Sequence, residues 1–425
     1  MKTISVALGM VLLLAGQLHA VGLLTLDEAL AVALKGHPLT VEATAGVSAA
    51  EARTGQSLAA YYPQVTIAAD WSTGRSYLTP LERVKSTEVN TEALYLRQTI
   101  HDFGRTSGAV AAAREYRTAA AESLATTRQE IAYRVRSAYY LVLAAEKQVA
   151  ATRETVTSRE AVFRQAQEFF GQGIRAKADV ARAGANLAAA RTALIRAENN
   201  RDLARVELAE AMGVPSLDGR PLAEPTPSSV PLPDLEASRQ EALTARPELR
   251  EAAALRGAAT AALKTARSGH LPILSGTASV GYAARDFPPD GTVWTVGVNL
   301  TVPVFSGFST VEREREASAS LRAAEARQET LRLRVGKEVE GAWLGVREAA
   351  ARIESTEKEV AAATESRDLA TARYREGVGN IIEVTDAQSQ ALDAETARIQ
   401  AGYDYRAALA RLDRALGRDA ARSEP

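Results

Sequence analysis

IAYRVRSAYYLVLAAEKQVAATRETV, residues 131–156, is the stretch that decides the fold. It lies in a proline-free segment from Ser107 to Phe170, where Val135, Val142, Val149, Val156, Phe163 and Phe170 step by seven. A second row four residues earlier, Ile131, Ala138, Ala145, Thr152, Arg159 and Ala166, is mostly small. This spacing lays one narrow apolar seam along a helix, and its period predicts left-handed supercoiling against a neighbour. A helix over the whole segment would run about 96 Å, far beyond the core of an ordinary globular domain.

The same seam returns 204 residues later as Val339, Val346, Ile353, Val360, Arg367 and Tyr374. Met212-Gly213 and Leu416-Gly417 match at the same offset, and His37-Pro38 and Pro63 pair with Arg246-Pro247 and Pro272 at a slightly larger one. The chain reads as an internal duplication, with repeats at 21–213 and 235–417.

Composition narrows the class. Among 425 residues there are only 7 Phe and 3 Trp, so the alanine- and charge-rich chain suits closely packed long helices. A net charge of -1 gives no electrostatic case for nucleic acid. Cysteine is absent, which excludes disulfides, thiolate metal sites and a lipidated N-terminal cysteine. Lys2, the apolar run Ile4–Leu18 and Leu18-His19-Ala20 predict a secretory signal over 1–20. The competing reading is a membrane anchor, for which the run is short.

Thr25-Leu26-Asp27-Glu28 caps a first helix, which breaks at Gly36-His37-Pro38 and resumes to about Ala60. Val65, Ile67, Ala69 and Trp71 then alternate with Gln64, Thr66, Ala68 and Asp70, the period of a strand. A polar loop is expected from Ser72 to about Asn90, then a second strand from Thr91 to Phe103, giving a hairpin over 64–103. The second copy, a hairpin over 271–305, alternates more cleanly: Trp294, Val296, Val298, Leu300, Val302 and Val304 share one face. An inner strand of a sandwich has this pattern, and so does a transmembrane strand of about 9–11 residues. Four such strands cannot close a barrel alone, so several chains would have to share one.

Long helices are expected over 107–170 and 310–376, each reversing at a glycine turn, with returning helices over 179–213 and 383–417. Residues 214–234, with six prolines, read as an extended, exposed linker, and 418–425 as a polar tail. No later segment is long and apolar enough for a membrane helix.

The order of helix, strand pair, long helix, glycine turn and returning helix, all twice, resembles the TolC-like outer-membrane factor family. The most telling residues are Tyr374-Arg375-Glu376-Gly377-Val378-Gly379-Asn380 leading into Glu383-Val384-Thr385-Asp386-Ala387, with a weaker partner at Gly173–Val180. The resemblance covers nearly all of Thr25 to Gly417. It implies a mainly α protein with transmembrane β structure. Three chains would contribute four strands each to a 12-stranded outer-membrane barrel continued by a cylinder of coiled-coil hairpins. It also implies a passive exit duct of a tripartite efflux or type I secretion system, docked to a periplasmic adaptor and an inner-membrane pump, with outer-membrane lipid around the barrel. No cofactor is implied.

By the same resemblance, Glu383 and Asp386 match an acidic aperture at the periplasmic tip, while Tyr374 and Asp179 match a tyrosine and an aspartate that hold it closed. The family's arginine slot is occupied by Gly379, and Arg175 on the opposite turn is the candidate replacement. The plainer reading of Asp179 and Glu383 is an acid favoured at a helix start, and of Tyr374 another seam residue. The exposed tips Gly171, Gly173, Ile174, Gly377, Val378 and Gly379 would meet the adaptor. Trp71, Tyr95, Tyr282 and Trp294 are candidates for interfacial aromatic girdles, although ordinary strand aromatics look alike.

A rival of another class is a soluble periplasmic coiled-coil adaptor or scaffold, in which the face Val296–Val304 would be core. Enzyme signals are absent and no enzyme is expected: His37, His101 and His270 lack ligand spacing, and the Gly-x-Gly turns lack a nucleotide-loop context.

Overall fold

The computed structural model describes residues 22–78, 83–225 and 232–418. The expected signal at 1–20 and the tail beyond Arg418 lie outside the described residues. The elements come in pairs of equal helix length. Helices α1 (Leu26–Gly36) and α2 (Pro38–Leu58) precede strands β1 (Gln64–Leu78) and β2 (Arg83–His101). The 67-residue α3 (Arg105–Gly171) and the 36-residue α4 (Lys177–Met212) complete the first half. Helices α5 (Leu235–Ala245) and α6 (Pro247–Arg267), strands β3 (Ile273–Ala284) and β4 (Gly291–Thr301), and the 67- and 36-residue helices α7 (Ser309–Arg375) and α8 (Ile381–Leu416) repeat the order.

Local chemistry sets the boundaries. Thr25 Oγ1 accepts the Glu28 N–H at 3.2 Å and caps α1. Pro38 and Pro247 occupy first helical positions, where a missing N–H costs nothing. Gly213 and Gly417 end α4 and α8 at φ of +69° and +75°. The seam is buried where helices face one another: Val135, Val142 and Val149 in α3, and Val339 and Val346 in α7. Phe170, at the far end of α3, is 46% exposed, so the apolar repeat outlasts its partner there.

The four strands form one antiparallel sheet in the order β1-β2-β3-β4. At the sheet end the helices lie side by side as α2-α3-α6-α7, and at the turn end as α4-α3-α8-α7. Each level therefore leaves its two outermost elements with an open side.

Two expectations are corrected. The polar loop expected at Ser72–Asn90 is largely strand, with Trp71 opposite Asn90 and a register running to Leu78 opposite Arg83. Polarity suggested a loop, but Thr73, Thr87 and Val89 are strand formers, and polar composition alone does not exclude a strand. The expected exposed linker is, in its first part, a packed strap. Leu217 and Leu222 are buried, and Leu24 bridges Leu222 through Leu24 N–H to Pro221 O and Ala223 N–H to Leu24 O, both 2.9 Å. Arg220 forks onto Glu28 at 2.7 and 2.8 Å. The Tyr139 hydroxyl lies 2.7 Å from Leu24 O and 2.6 Å from Ala223 O, donating to one at a time.

Candidate functional site

At the turn end, α3 and α7 stop through the same device. Gly173 and Gly377 take φ of +74° and +78°, and their N–H groups donate to Phe170 O and Tyr374 O at 3.0 and 3.1 Å. Gly379 is a glycine for another reason: a Cβ there would meet Tyr374 N at 2.9 Å and the Arg373 carbonyl carbon at 3.0 Å. An arginine in that slot is incompatible with this turn. Gly171 lies in the last turn of α3, while Ile174 and Val378 present exposed apolar side chains at the tips.

The expected aperture residues separate into three kinds. Glu383 is engaged: Asn380 Oδ1 accepts its N–H at 2.9 Å, and Asn380 Nδ2 donates to its carboxylate at 3.2 Å, a reciprocal cap at the start of α8. Arg373 stands 3.8 Å from the same carboxylate. Asp386, one turn on, is exposed and makes no hydrogen bond or ion pair among the described residues. Asp179 sits in the first turn of α4, where the helix dipole favours an acid. α4 and α8 start two residues before Asp179 and Glu383, at Lys177 and Ile381.

Tyr374 is 1% exposed and packs on Phe169, with ring centroids 5.8 Å apart, inside an apolar cluster drawn from both hairpins. Its hydroxyl is buried without a hydrogen-bond partner among the described residues. Burial, with help from the Asp179 charge and against Arg175, pushes this phenol above its ordinary range. Arg175 crosses from the first tip to the second, donating to Gly377 O at 3.0 Å and Gly379 O at 2.5 Å.

Sequence reasoning missed a run of polar contacts joining α3 to α8 above the tips. Gln148 donates to Thr396 at 2.9 Å, Gln388 to Ser158 at 2.8 Å, and Arg159 to Ser389 at 2.8 Å. Burial lowers the Arg159 pKa, opposed by Asp393. One signal was visible: Arg159 is the lone charge in the row of small seam residues.

At the opposite end, pairing fixes which side chains share a face. Val65, Leu96, Ala278 and Val296 form one row, and Ile67, Leu94, Val280 and Trp294 the next. Glu92, Tyr282 and Thr292 follow, and Trp71 lies opposite Asn90. Trp71, Tyr282 and Trp294 thus share the apolar face. Tyr95 does not: it pairs with Thr66 and Ser279 on the polar face, a correction to its place in the expected girdle. Its neighbours Leu94 and Leu96 carry the apolar parity, and an aromatic side chain alone does not report which way it points. Among the described residues no helix packs on the apolar face, where Val296 is 72% and Val298 70% exposed.

With this geometry in hand, comparison with known proteins is specific. The model of a family described as outer membrane efflux protein matches residues 29–214 and 238–418. CyaE of Bordetella pertussis is 28% identical over 87% of this chain and 79% of its own. BepC of Brucella suis, named an outer membrane efflux protein, is 27% identical over 93% of this chain and 85% of its own. In fold, the solved outer-membrane channel OprN superposes with a TM-score of 0.84 at 22% identity, covering 93% of this chain and 91% of that one.

Proposed function

The chain belongs to the outer membrane efflux protein family, and on that premise we propose that it is the subunit of an outer-membrane channel, the passive exit duct of a tripartite efflux or type I secretion system. One observation supports this reading beyond the family name: a single-layer sheet whose apolar face is uncovered and whose two edges are open among the described residues, set on helices far too long to cover it. In water such a face and such edges are an aggregation hazard. In a bilayer the face meets lipid and the edges pair with further copies.

Three chains of four strands make a twelve-stranded barrel, and an even number per chain keeps the pairing of β1 with a neighbour's β4 antiparallel. The helical layers offer the matching open sides, α2 and α4 on one flank and α7 on the other. The two halves of each chain would then alternate around the ring as repeats of one duplicated unit. A 67-residue helix spans about 100 Å, which suits a conduit crossing the periplasm. The tips Gly171–Ile174 and Gly377–Gly379 would meet a periplasmic adaptor and, through it, an inner-membrane pump. Under threefold symmetry Asp386, with Glu383 and Asp179 near it, becomes a ring of carboxylates that favours cations at the aperture. Trp71, Tyr282 and Trp294 lie at the polar limit of the apolar face, where an interfacial girdle belongs.

The rival reading, a soluble periplasmic scaffold, needs a cover for Val296, Val298 and Leu300, and these are 60–72% exposed. Membrane fractionation followed by the native mass of detergent-extracted protein tests the proposal. A trimer from the outer membrane that conducts ions in a lipid bilayer is expected, and a soluble periplasmic protein of any mass overturns it.

A further inference from the structure

The tyrosine and aspartate expected to hold the tip closed make no hydrogen bond among the described residues, and a different residue joins the two tips. We propose that Arg175 is the residue that staples the two tips of each chain, with Tyr374 serving as an apolar wedge and not as a hydrogen-bonding latch. This inference rests on the channel reading, since it names what keeps the aperture shut.

Three observations support it. First, the Arg175 guanidinium reaches the carbonyls of Gly377 and Gly379, at 3.0 and 2.5 Å, from the turn of the other hairpin. Both acceptors lie just past the C-terminal end of α7, where unpaired carbonyls and the helix dipole favour a cation. Both bonds leave the same Nη2 nitrogen, whose two hydrogens serve the two carbonyls at once. Second, the Tyr374 hydroxyl is buried and unpartnered among the described residues, while its ring is held by Phe169 and lies 5.8 Å from Arg175. The ring therefore contributes to closure, and the hydroxyl opposes it, because a buried polar group without a partner is costly. Third, the turn has no room for a side chain at Gly379, so position 379 itself cannot carry a cation in this conformation. The staple comes instead from Arg175 on the first hairpin.

The consequence separates two groups that sequence alone would treat as one latch. Removing the Tyr374 hydroxyl leaves closure intact or tightens it, and removing the Arg175 charge releases it. The test is single-channel conductance of the purified full-length protein in planar bilayers, comparing wild type with Tyr374→Phe, Arg175→Ala, Arg175→Gln and Arg175→Lys. Trimer mass and thermal midpoint are measured on each. Arg175→Ala and Arg175→Gln are expected to raise conductance several-fold at an unchanged midpoint, Arg175→Lys to restore it in part, and Tyr374→Phe to conduct no more than wild type. If the alanine variant fails to assemble, the glutamine variant, which keeps most of the length without the charge, decides. Wild-type-like conductance in an assembled Arg175→Gln channel, or opening by Tyr374→Phe, overturns the staple while leaving the channel reading in place. A wild-type protein that forms no conducting trimer overturns the channel reading itself, and the staple with it.

Discussion

At the scale of single residues, two acids one turn apart do different work. Glu383 is tied into the cap of its own helix and faces Arg373, so much of its charge is already answered within the chain. Asp386 has no such partner among the described residues and is exposed, so in the proposed aperture it is the carboxylate that would meet ions. Asp386→Asn is therefore expected to weaken the cation preference of the channel, read as the reversal potential across a salt gradient, more than Glu383→Gln does. Glu383→Gln should instead leave selectivity nearly intact, since Asn380 can still bond a side-chain amide. Equal losses from both would count against the assignment. Tyr139 gives a second case. Burial pushes its phenol up to about 12, so it remains a donor throughout the working pH range. Tyr139→Phe leaves the part-buried Ala223 carbonyl without its donor, while Leu24 O keeps the Ala223 N–H, and is expected to cost roughly 1 kcal/mol, measured by chemical denaturation. The acids were legible as residue types at a helix start. Arg175 was visible only as a guess, because its acceptors are backbone oxygens about 200 residues away and carry no side-chain signature.

Elements were easier to read than their ends. The heptad seam and the glycine turns locate α3 and α7 because helix period and left-handed glycines are local properties. The strand hidden in 72–90 and the packed strap at 214–225 were not legible, because each depends on what lies beside it. Leu217 and Leu222 look like isolated apolar residues in a proline-rich run until Leu24 bridges Leu222 and all three join one core cluster. The strap also explains an expected acid sensitivity. Burial pushes the Glu224 carboxyl up, but the Tyr403 hydroxyl, Lys147 and Arg406 outweigh it and hold the pKa below the usual range. A carboxyl depressed on folding stabilises the fold above its unfolded pKa, and that contribution is lost as pH falls through the folded value. The thermal midpoint should drop on acidification below the ordinary glutamate range, and Glu224→Gln should flatten that drop while lowering stability at neutral pH. Turn glycines separate in the same physical terms. Gly213 at φ +69° would bring a Cβ within 3.0 Å of His37 Cα, whereas Gly173 at φ +74° has open space. Gly213→Ala is expected to cost more stability than Gly173→Ala, with both strained in backbone but only the first colliding with the α1–α2 corner.

For the whole molecule, the decisive property is that every level of one chain ends in an unpaired flank. The sheet stops at β1 and β4, the upper helical layer at α2 and α7, and the lower at α4 and α7. Surfaces that differ at the two flanks make a head-to-tail contact, which closes into a ring when the rotation per copy is right. The alternation in Val296–Leu300 carried half of this, since it showed an apolar face. It could not show that no layer covers that face, because cover is supplied by elements far away in sequence. A proline scan along β4 turns the ring into a measurable claim. A true edge strand uses only alternate N–H groups, those facing β3, so proline is tolerated at every other position between Trp294 and Leu300. In a ring β4 is an inner strand, its outward N–H groups pair with a neighbour's β1, and tolerance vanishes at both parities. Detergent-extracted variants are therefore expected to lose trimer mass at each substituted position from Thr295 to Asn299. A pattern in which alternate prolines retain the trimer would mean that β4 is an outer edge, and that the copies associate through their helices alone.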